Sequence, residues 1–308
     1  MTISHGYVDL QINGYMGVDF NATHLTVDQL RQACEALSAD EVDGVLVTII
    51  TDEPETMIGR LTTIAAACSS DSLIGHMVRG IHIEGPFINE RPGYVGAHPT
   101  AAVQPANLEL AKRLLDGAGG LTRIVTLAPE RDPGFRLTKY LFSQGIVVSA
   151  GHCDPSFDQL RGAIDAGLSM FTHLGNGCPA DMHRHDNVVQ RALALADRLW
   201  ISFIADGVHV PYFALRNYLD IVGLQRAVFV TDAIIAAGLG PGQFELAGKP
   251  VDVDEHGVTH YPGDDTHFVG SAATMSQIVE RARRELGLGH QQVRRLVCDN
   301  PRQIIGLE

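Results

Sequence analysis

The chain has 308 residues, 45% of them hydrophobic, which is enough to bury a large core. Its net charge of −13 is not gathered in long runs, which disfavours nucleic acid or an anionic membrane as the main partner. No apolar run approaches the roughly 18 residues of a membrane span, and the first residues lack the pattern of a signal peptide. The five cysteines are scattered, so we expect reduced thiols and a cytoplasmic protein.

Eight short apolar segments alternate with segments of helical period almost to the end of the chain. The predicted strands are YVDLQI, GVLVTI, VRGIHI, RIVTLA, GIVVSA, LSMFTH, WISFIA and AVFVTD. The helical segments between them include TVDQLRQACEALSA, ANLELAKRLLDGA, SFDQLRGAIDAG and PYFALRNYLDIVG. This alternation predicts a parallel sheet with right-handed crossovers, and eight such units in this length favour a closed (β/α)8 barrel.

Two connecting segments carry predictions of their own. Residues 238–269 follow the eighth strand, and their glycines, prolines and alternating residues predict a hairpin-bearing loop over the barrel mouth. We therefore expect one barrel domain over residues 1–308, with 238–269 as a loop insertion. Before one helical segment, Asp154 and Pro155 predict the helix cap.

Polar side chains end five of the predicted strands, on the side where a barrel of this kind carries out its chemistry. These residues are Gln11, Asn13, Glu84, His152, His173 and Asp232. Two imidazoles and a carboxylate from separate strands can hold Zn²⁺ or a similar divalent ion and leave a position open for water. The metal lowers the pKa of that water, and an aspartate that is not a ligand can accept its proton. The combination predicts a metal-dependent hydrolase.

The motifs resemble those of the N-acetylglucosamine-6-phosphate deacetylases, a family of the amidohydrolase superfamily. The matching stretches run in order along nearly the whole chain: GYVDLQINGYMGVDF, GIHIEGPFI, GAHP, SAGHCDPS, FTHLGNG, FIADGVHV, VTDAIIAAG, GSAATM and NPRQIIGLE. The resemblance implies a TIM-type barrel of the amidohydrolase kind. It also implies hydrolysis of the N-acetyl amide of N-acetylglucosamine 6-phosphate to glucosamine 6-phosphate and acetate.

The resemblance further implies a role for each matched residue. Glu84, His152 and His173 would hold the metal. Asp232 would act as general base and then protonate the leaving amine, and His98 would help to polarise the acetamide carbonyl. The positions implied to bind substrate are Gln11, Asn13, Ala97, Asn176, Gly177, Arg184, His209, Phe268, Val269 and Gly270. Among these, the backbone at 176–177, with Arg184 and His209, would grip the sugar phosphate.

Gln11 and Asn13 stand where many amidohydrolases carry His-x-His and bind two metals. A neutral amide is a poor Zn²⁺ ligand, and the strand RIVTLA ends without a lysine that could bridge two ions. We therefore expect one divalent ion, Zn²⁺ foremost, with Fe²⁺ and Mn²⁺ as alternatives. The two amides would instead hydrogen-bond their neighbours and hold a water or a ligand.

The chain departs from the family pattern in three places. The barrel begins near residue 7 and the sequence ends at NPRQIIGLE, so we expect a barrel-only member without the family's small β-sandwich. The loop FTHLGNGCPADMHRHDN is altered, with Gly175 in place of a bulky residue, and GSAATM differs mildly. The altered loop leaves open a different N-acylated sugar or amide as the substrate. Non-catalytic binding of a sugar phosphate is a separate alternative, which the presence of all four ligand and base residues disfavours. The family also implies a homodimer.

Overall fold

The computed structural model describes residues 6–264 and 267–307. Eight parallel strands form its main sheet: β1 (Tyr7–Ile12), β2 (Val42–Ile50), β3 (Val78–Glu84), β4 (Thr122–Leu127), β5 (Val147–Ala150), β6 (Leu168–Phe171), β7 (Trp200–Ile204) and β8 (Ala227–Val230). Each strand pairs with the next in chain order, and a parallel bridge between Ile12 and Ala233 joins the last strand to the first. The predicted (β/α)8 barrel is therefore confirmed, with all eight predicted strands present.

Helices connect the strands and cover the outside of the sheet. They are α1 (Val27–Ala39), α2 (Pro54–Ser70), α3 (Ser72–Met77), α4 (Leu108–Gly117), α5 (Arg136–Ser143), α6 (Phe157–Asp165), α7 (Val188–Leu193) and α8 (Tyr212–Val222). After β8 follow α9 (Met275–Glu285), α10 (His290–Arg294) and α11 (Asn300–Ile305), with a π-helical turn at Arg295–Asp299. The buried faces of these helices and the outward faces of the strands form one large apolar core. In the described part of the chain, no helix combines the length and apolarity needed to cross a bilayer.

Short sequence signals fix where three of the helices begin. Thr26, Ser156 and Thr274 each accept a hydrogen bond from the backbone three residues on, where a glutamine side chain accepts one in return. The prediction that Asp154 caps α6 is wrong, because Ser156 occupies the cap position. The Asp154 carboxylate lies instead against Arg91, on the loop from β3 to α4, and Arg191, in α7.

Between β8 and α9 the chain forms a small antiparallel sheet. Its strands are β9 (Gly242–Leu246), β10 (Lys249–Val253) and β11 (Thr259–His260). A separate antiparallel ribbon, which pairs Gly14–Tyr15 with Val18–Asp19, follows β1. The Tyr261 hydroxyl, just after β11, donates to the Ala97 carbonyl at 3.2 Å. The small sheet therefore lies against the loop that leads from β3 to α4. Residues 265 and 266 of the predicted insertion lie outside the described residues.

Candidate metal centre and active site

A cavity of about 480 Å³ opens at the C-terminal ends of the barrel strands. The predicted site residues that line it are Asn13, Glu84, Ala97, His98, His152, His173, Asn176, Gly177, His209, Asp232, Phe268, Val269 and Gly270. Gln11 and Arg184 are not among the lining residues. Gln11 is buried beside Glu84, whereas Arg184 is exposed on the altered loop after β6.

Three imidazoles with metal-binding atoms converge around the Glu84 carboxylate. His173 Nε2 lies 2.9 Å from Glu84 Oε1, and His152 Nε2 lies 3.3 Å from the same oxygen. His98 Nε2 lies 3.3 Å from His152 Nε2, so the donor atoms of Glu84, His98 and His152 all lie within 4.8 Å of one another. His98, predicted only to polarise the substrate, therefore stands in the same donor cluster.

The hydrogen bonding of His152 tests whether this cluster fits a cation. Its Nδ1–H donates to the Tyr94 carbonyl at 2.8 Å, so the neutral imidazole carries its lone pair on Nε2. That lone pair faces a carboxylate oxygen of Glu84, which is also an acceptor. A divalent cation between two such acceptors converts their repulsion into two ligand bonds. Carboxylate with two imidazoles is also a set that Zn²⁺ takes in proteins, so the residues fit the expected metal.

Buried Glu84 and Asp232 differ in how readily they hold a proton. Burial opposes the ionised form of Glu84, but where Nε2 of His152 and of His173 carries a proton, hydrogen bonds from these imidazoles outweigh burial and hold the pKa of Glu84 well below its usual range. Burial, and next the negative charge of Glu84, raise the pKa of Asp232 to about 8. A cation held beside Asp232 would favour its ionised, proton-accepting form.

The two amides at the end of β1 each hold one of these carboxylates. Gln11 Nε2 lies 3.2 Å from both oxygens of Glu84. Asn13 Nδ2 donates to Asp232 Oδ1 at 2.6 Å, which leaves the other Asp232 oxygen for a reactant. The Asn13 Oδ1 atom is buried and has no hydrogen-bond partner among the described residues, so it can accept a donor from a ligand.

Three of the site residues have a left-handed backbone. The φ angles of His152, His173 and Asp232 are 50°, 36° and 49°. This conformation costs a residue with a side chain roughly 1–2 kcal/mol. All three follow barrel strands and line the cavity, so the strained turns coincide with the donor cluster, as is common at functional sites.

Other contacts in the site were not predicted from the sequence. The Tyr94 carbonyl orients His152, and a Cβ atom at Gly177 would lie only 2.8 Å from His152 Nδ1, so this loop packs directly on the imidazole. Asp206 Oδ2 lies 2.8 Å from His209 Nδ1, which leaves His209 Nε2 for a ligand. The Asp-x-x-His spacing in FIADGVHV could have suggested this pair, whereas no local signal marks Tyr94. Further lining residues outside the prediction include Gly175, Met182, Tyr218, Leu246, Tyr261 and His267.

Comparisons with known proteins agree with the motifs. The chain is 32% identical over 305 residues to the N-acetylglucosamine-6-phosphate deacetylase of Bacillus subtilis (strain 168), covering 98% of this chain and 75% of that protein. It matches a solved structure of a variant N-acetyl-D-glucosamine-6-phosphate deacetylase from Mycobacterium smegmatis in complex with N-acetyl-D-glucosamine-6-phosphate. The TM-score is 0.88 at 31% identity, over 98% of this chain and 77% of that one. The chain belongs to the N-acetylglucosamine-6-phosphate deacetylase family.

The family predicted from the motifs is thus confirmed, and with it the enzyme class, a hydrolase of amide bonds. No protein-family model matches the chain. A further relative is the N-acetylgalactosamine-6-phosphate deacetylase of Escherichia coli O157:H7. It is 27% identical over 302 residues, and the match covers 98% of this chain and 78% of that protein. Sequence similarity therefore extends to an enzyme named for another sugar epimer.

Proposed function

We propose that this family member removes the acetyl group from N-acetylglucosamine 6-phosphate, giving glucosamine 6-phosphate and acetate. The observation that carries the proposal is the meeting of Glu84, His152, His173 and Asp232 in one cavity. This arrangement unites a set of metal-binding groups with a carboxylate that can move a proton. The relatives named for this reaction, which match almost the whole chain, support the same substrate.

We further propose that Glu84, His152 and His173 hold one divalent ion, Zn²⁺ foremost. These three residues lie at the ends of barrel strands, whereas His98 lies on the longer loop from β3 to α4. Gln11 and Asn13 are hydrogen-bonded to carboxylates and are poor ligands for a second ion. When bound, the ion would act as a Lewis acid toward the acetamide carbonyl and would lower the pKa of water.

The remaining chemistry belongs to side chains of this chain. Asp232 would accept the proton of the attacking water and return it to the leaving amine, while Asn13 fixes one of its oxygens. Burial and the nearby His152 lower the pKa of His98 to about 3, so His98 is neutral at pH 7 and carries a single N–H. That N–H would donate to the carbonyl oxygen as negative charge develops on it.

We propose that Asn176 and His209 bind the phosphate from within the cavity and that Arg184 reaches it from the second subunit of a homodimer. Burial opposes ionisation of Asp206, but His209 and two backbone amides outweigh it and lower the pKa of Asp206. The resulting carboxylate accepts from His209 Nδ1 and so orients the imidazole with Nε2 toward a ligand. Arg184 is exposed outside the lining of its own cavity, so its guanidinium is free to extend toward a neighbouring molecule.

Acetate release tests the proposed reaction. Metal-loaded protein should release acetate from N-acetylglucosamine 6-phosphate, and Asp232→Asn should slow this release roughly 10²–10⁴-fold with metal content unchanged. Asp197→Asn, at an exposed aspartate outside the cavity, is the matched control and should behave as wild type. A near-normal rate in Asp232→Asn would mean that the assigned base is wrong.

N-acetylgalactosamine 6-phosphate is the second candidate substrate, favoured by the relative named for it and by the open wall at Gly175. A Cβ atom at Gly175 would meet no atom closer than 3.9 Å. Comparing kcat/KM for the two epimers and for their unphosphorylated forms separates these substrates. If metal-loaded wild type releases acetate from none of them, the proposed substrate class is wrong, and a panel of other acylated amides is the next step.

Mixing two variants tests the role of Arg184 across subunits. Arg184→Ala should raise KM for the phosphorylated sugar and leave the unphosphorylated sugar unaffected. A mixed dimer of Arg184→Ala and Asp232→Asn subunits then contains one complete site, because the second subunit supplies the missing arginine. Restored activity at low substrate supports this arrangement. No gain on mixing, with subunit exchange shown by mass spectrometry, would assign Arg184 to its own subunit or to no role.

A further inference from the structure

We infer that Asp154 is a positioning residue that clamps together the two loops bordering the candidate active site. Asp154 Oδ2 accepts from Arg91 Nη2 at 2.6 Å, and Asp154 Oδ1 accepts from Arg191 Nη1 at 2.9 Å. Each carboxylate oxygen therefore holds one guanidinium. Arg91 lies on the loop from β3 to α4, and Arg191 lies in α7, directly after the altered loop.

The first arm of this clamp, the pair of Asp154 with Arg91, supports the groups around the metal ligands. The Arg91 carbonyl accepts hydrogen bonds from the amides of Tyr94 and Val95, both at 3.1 Å, and the Arg91 guanidinium lies 4.7 Å from the Tyr94 ring centroid. The Tyr94 carbonyl in turn orients His152. The first arm thus fixes the turn whose carbonyl decides which nitrogen of His152 carries the lone pair.

The same turn also leads to His98, and a buried carboxylate reinforces its attachment. The His98 amide donates to the Val95 carbonyl at 3.2 Å. Glu130 Oε1 accepts from the Asp154 amide at 2.6 Å and from Asn89 Nδ2 at 2.7 Å. The Asn89 side chain then accepts from the Arg91 amide at 3.0 Å. Two routes therefore connect the backbone beside His152 to the loop that carries His98.

The second arm, the pair of Asp154 with Arg191, holds the opposite loop. Arg191 Nε donates to Asp186 Oδ1 at 2.7 Å, and Arg191 Nη2 donates to the Asp186 carbonyl at 3.1 Å. The Asp186 amide donates to His183 Nδ1 at 2.9 Å. The second arm therefore fixes residues 183–187, the segment that presents Arg184. The Asp154 carboxylate thus holds two loops. The loop that carries His98 is expected to affect turnover, and the loop that carries Arg184 is expected to affect phosphate binding.

The proposed function supplies the kinetic assay, so the experiment pairs kinetics with a measurement that needs no activity. Hydrogen–deuterium exchange of the metal-loaded protein should rise in residues 89–98 for Arg91→Gln and in residues 183–187 for Arg191→Gln. Asp154→Asn, which keeps the shape and removes the charge, should raise exchange in both segments. Arg198→Gln, which breaks an exposed ion pair with Asp165 outside both segments, is the matched control and should leave both segments unchanged.

The two arms of the clamp should affect different kinetic constants. Arg91→Gln should lower kcat and weaken Zn²⁺ binding about three- to tenfold with little change in KM. Arg191→Gln should raise KM for the phosphorylated sugar by a similar factor with little change in kcat, and Asp154→Asn should do both. If hydrogen–deuterium exchange of residues 89–98 and 183–187 in Asp154→Asn equals that in Arg198→Gln, the clamp is refuted, even if activity is lost. Loop-specific exchange in a protein without deacetylase activity would retain the clamp and reject only the proposed function.

Discussion

Replacing Gly177 with alanine tests whether the altered loop packs directly on the His152 imidazole. The added Cβ atom would lie 2.8 Å from His152 Nδ1 and 3.1 Å from two other ring atoms. Ordinary contact begins at 3.4 Å, so the ring must move by roughly 0.6 Å, the difference between these two distances. That movement strains the 2.8 Å hydrogen bond to the Tyr94 carbonyl.

Two terms contribute to the expected effect of Gly177→Ala. The φ angle of +60° makes alanine unfavourable by roughly 1–2 kcal/mol, whatever its surroundings. Loss of the hydrogen bond that orients a metal-binding histidine lowers metal affinity about 10–100-fold. We therefore expect a modest fall in the free energy of unfolding together with a large fall in Zn²⁺ affinity.

Gly145→Ala is the matched control because it isolates the backbone term. Gly145 has a φ angle of +74°, and a Cβ atom there would meet nothing within 4 Å. Thermal unfolding, Zn²⁺ affinity by chelator competition, and kcat should be measured for both variants. Gly145→Ala should lower thermal stability and leave Zn²⁺ affinity and kcat unchanged. If Gly177→Ala also keeps wild-type metal affinity and turnover, the inferred contact with His152 is refuted.

Three further predictions follow from the barrel interior and the donor cluster. Asn13→Leu removes the donor to Asp232 and should lower kcat about 10–100-fold at unchanged metal content, as judged by acetate release and metal analysis. Burial raises the pKa of Asp9 from 3.8 to about 7, so the folded chain keeps a proton that the unfolded chain loses. The free energy of unfolding should therefore fall by about 4 kcal/mol as pH rises from about 4 to 7, and Asp9→Asn should lack this part of the pH profile in urea unfolding. Chelation should lower Tm. Zn²⁺ at 100 times the wild-type dissociation constant should restore about 2.7 kcal/mol of unfolding free energy to wild type, and the same Zn²⁺ concentration should restore less to Glu84→Gln. A Glu84→Gln protein that regains the full amount would exclude Glu84 as a ligand.

The sequence by itself predicted the barrel, which the structure confirms, and brought together the residues proposed to hold the metal. Alternating apolar residues specify strands locally, and eight strand–helix units leave a closed parallel barrel as the simplest arrangement. In such a barrel, every strand delivers its C-terminal end to the same rim. For that reason Glu84, His152, His173 and Asp232 could be assigned to one site although they are spread over about half of the chain.

Local spacing left open where a side chain lies once it leaves its own segment. Arg184 lies close to His173 in the sequence, yet it is exposed and outside the cavity lining. The sequence Asp-Pro before α6 is typical of a helix start, yet Ser156 is the cap. In both cases the pattern describes what a residue type commonly does, whereas its partners depend on loops that no periodicity describes.

Only the tertiary structure decided how the donor residues are held. The Tyr94 carbonyl that orients His152 lies 58 residues away from it, and the arginines that hold Asp154 lie 63 and 37 residues away. A hydrogen bond or ion pair between distant loops leaves no repeating signal in the sequence, because its geometry is set by where the barrel delivers each loop. The strand ends supply the reactive side chains. The packing of the loops around them decides which nitrogen of His152 carries the lone pair and sets the shape of the cavity.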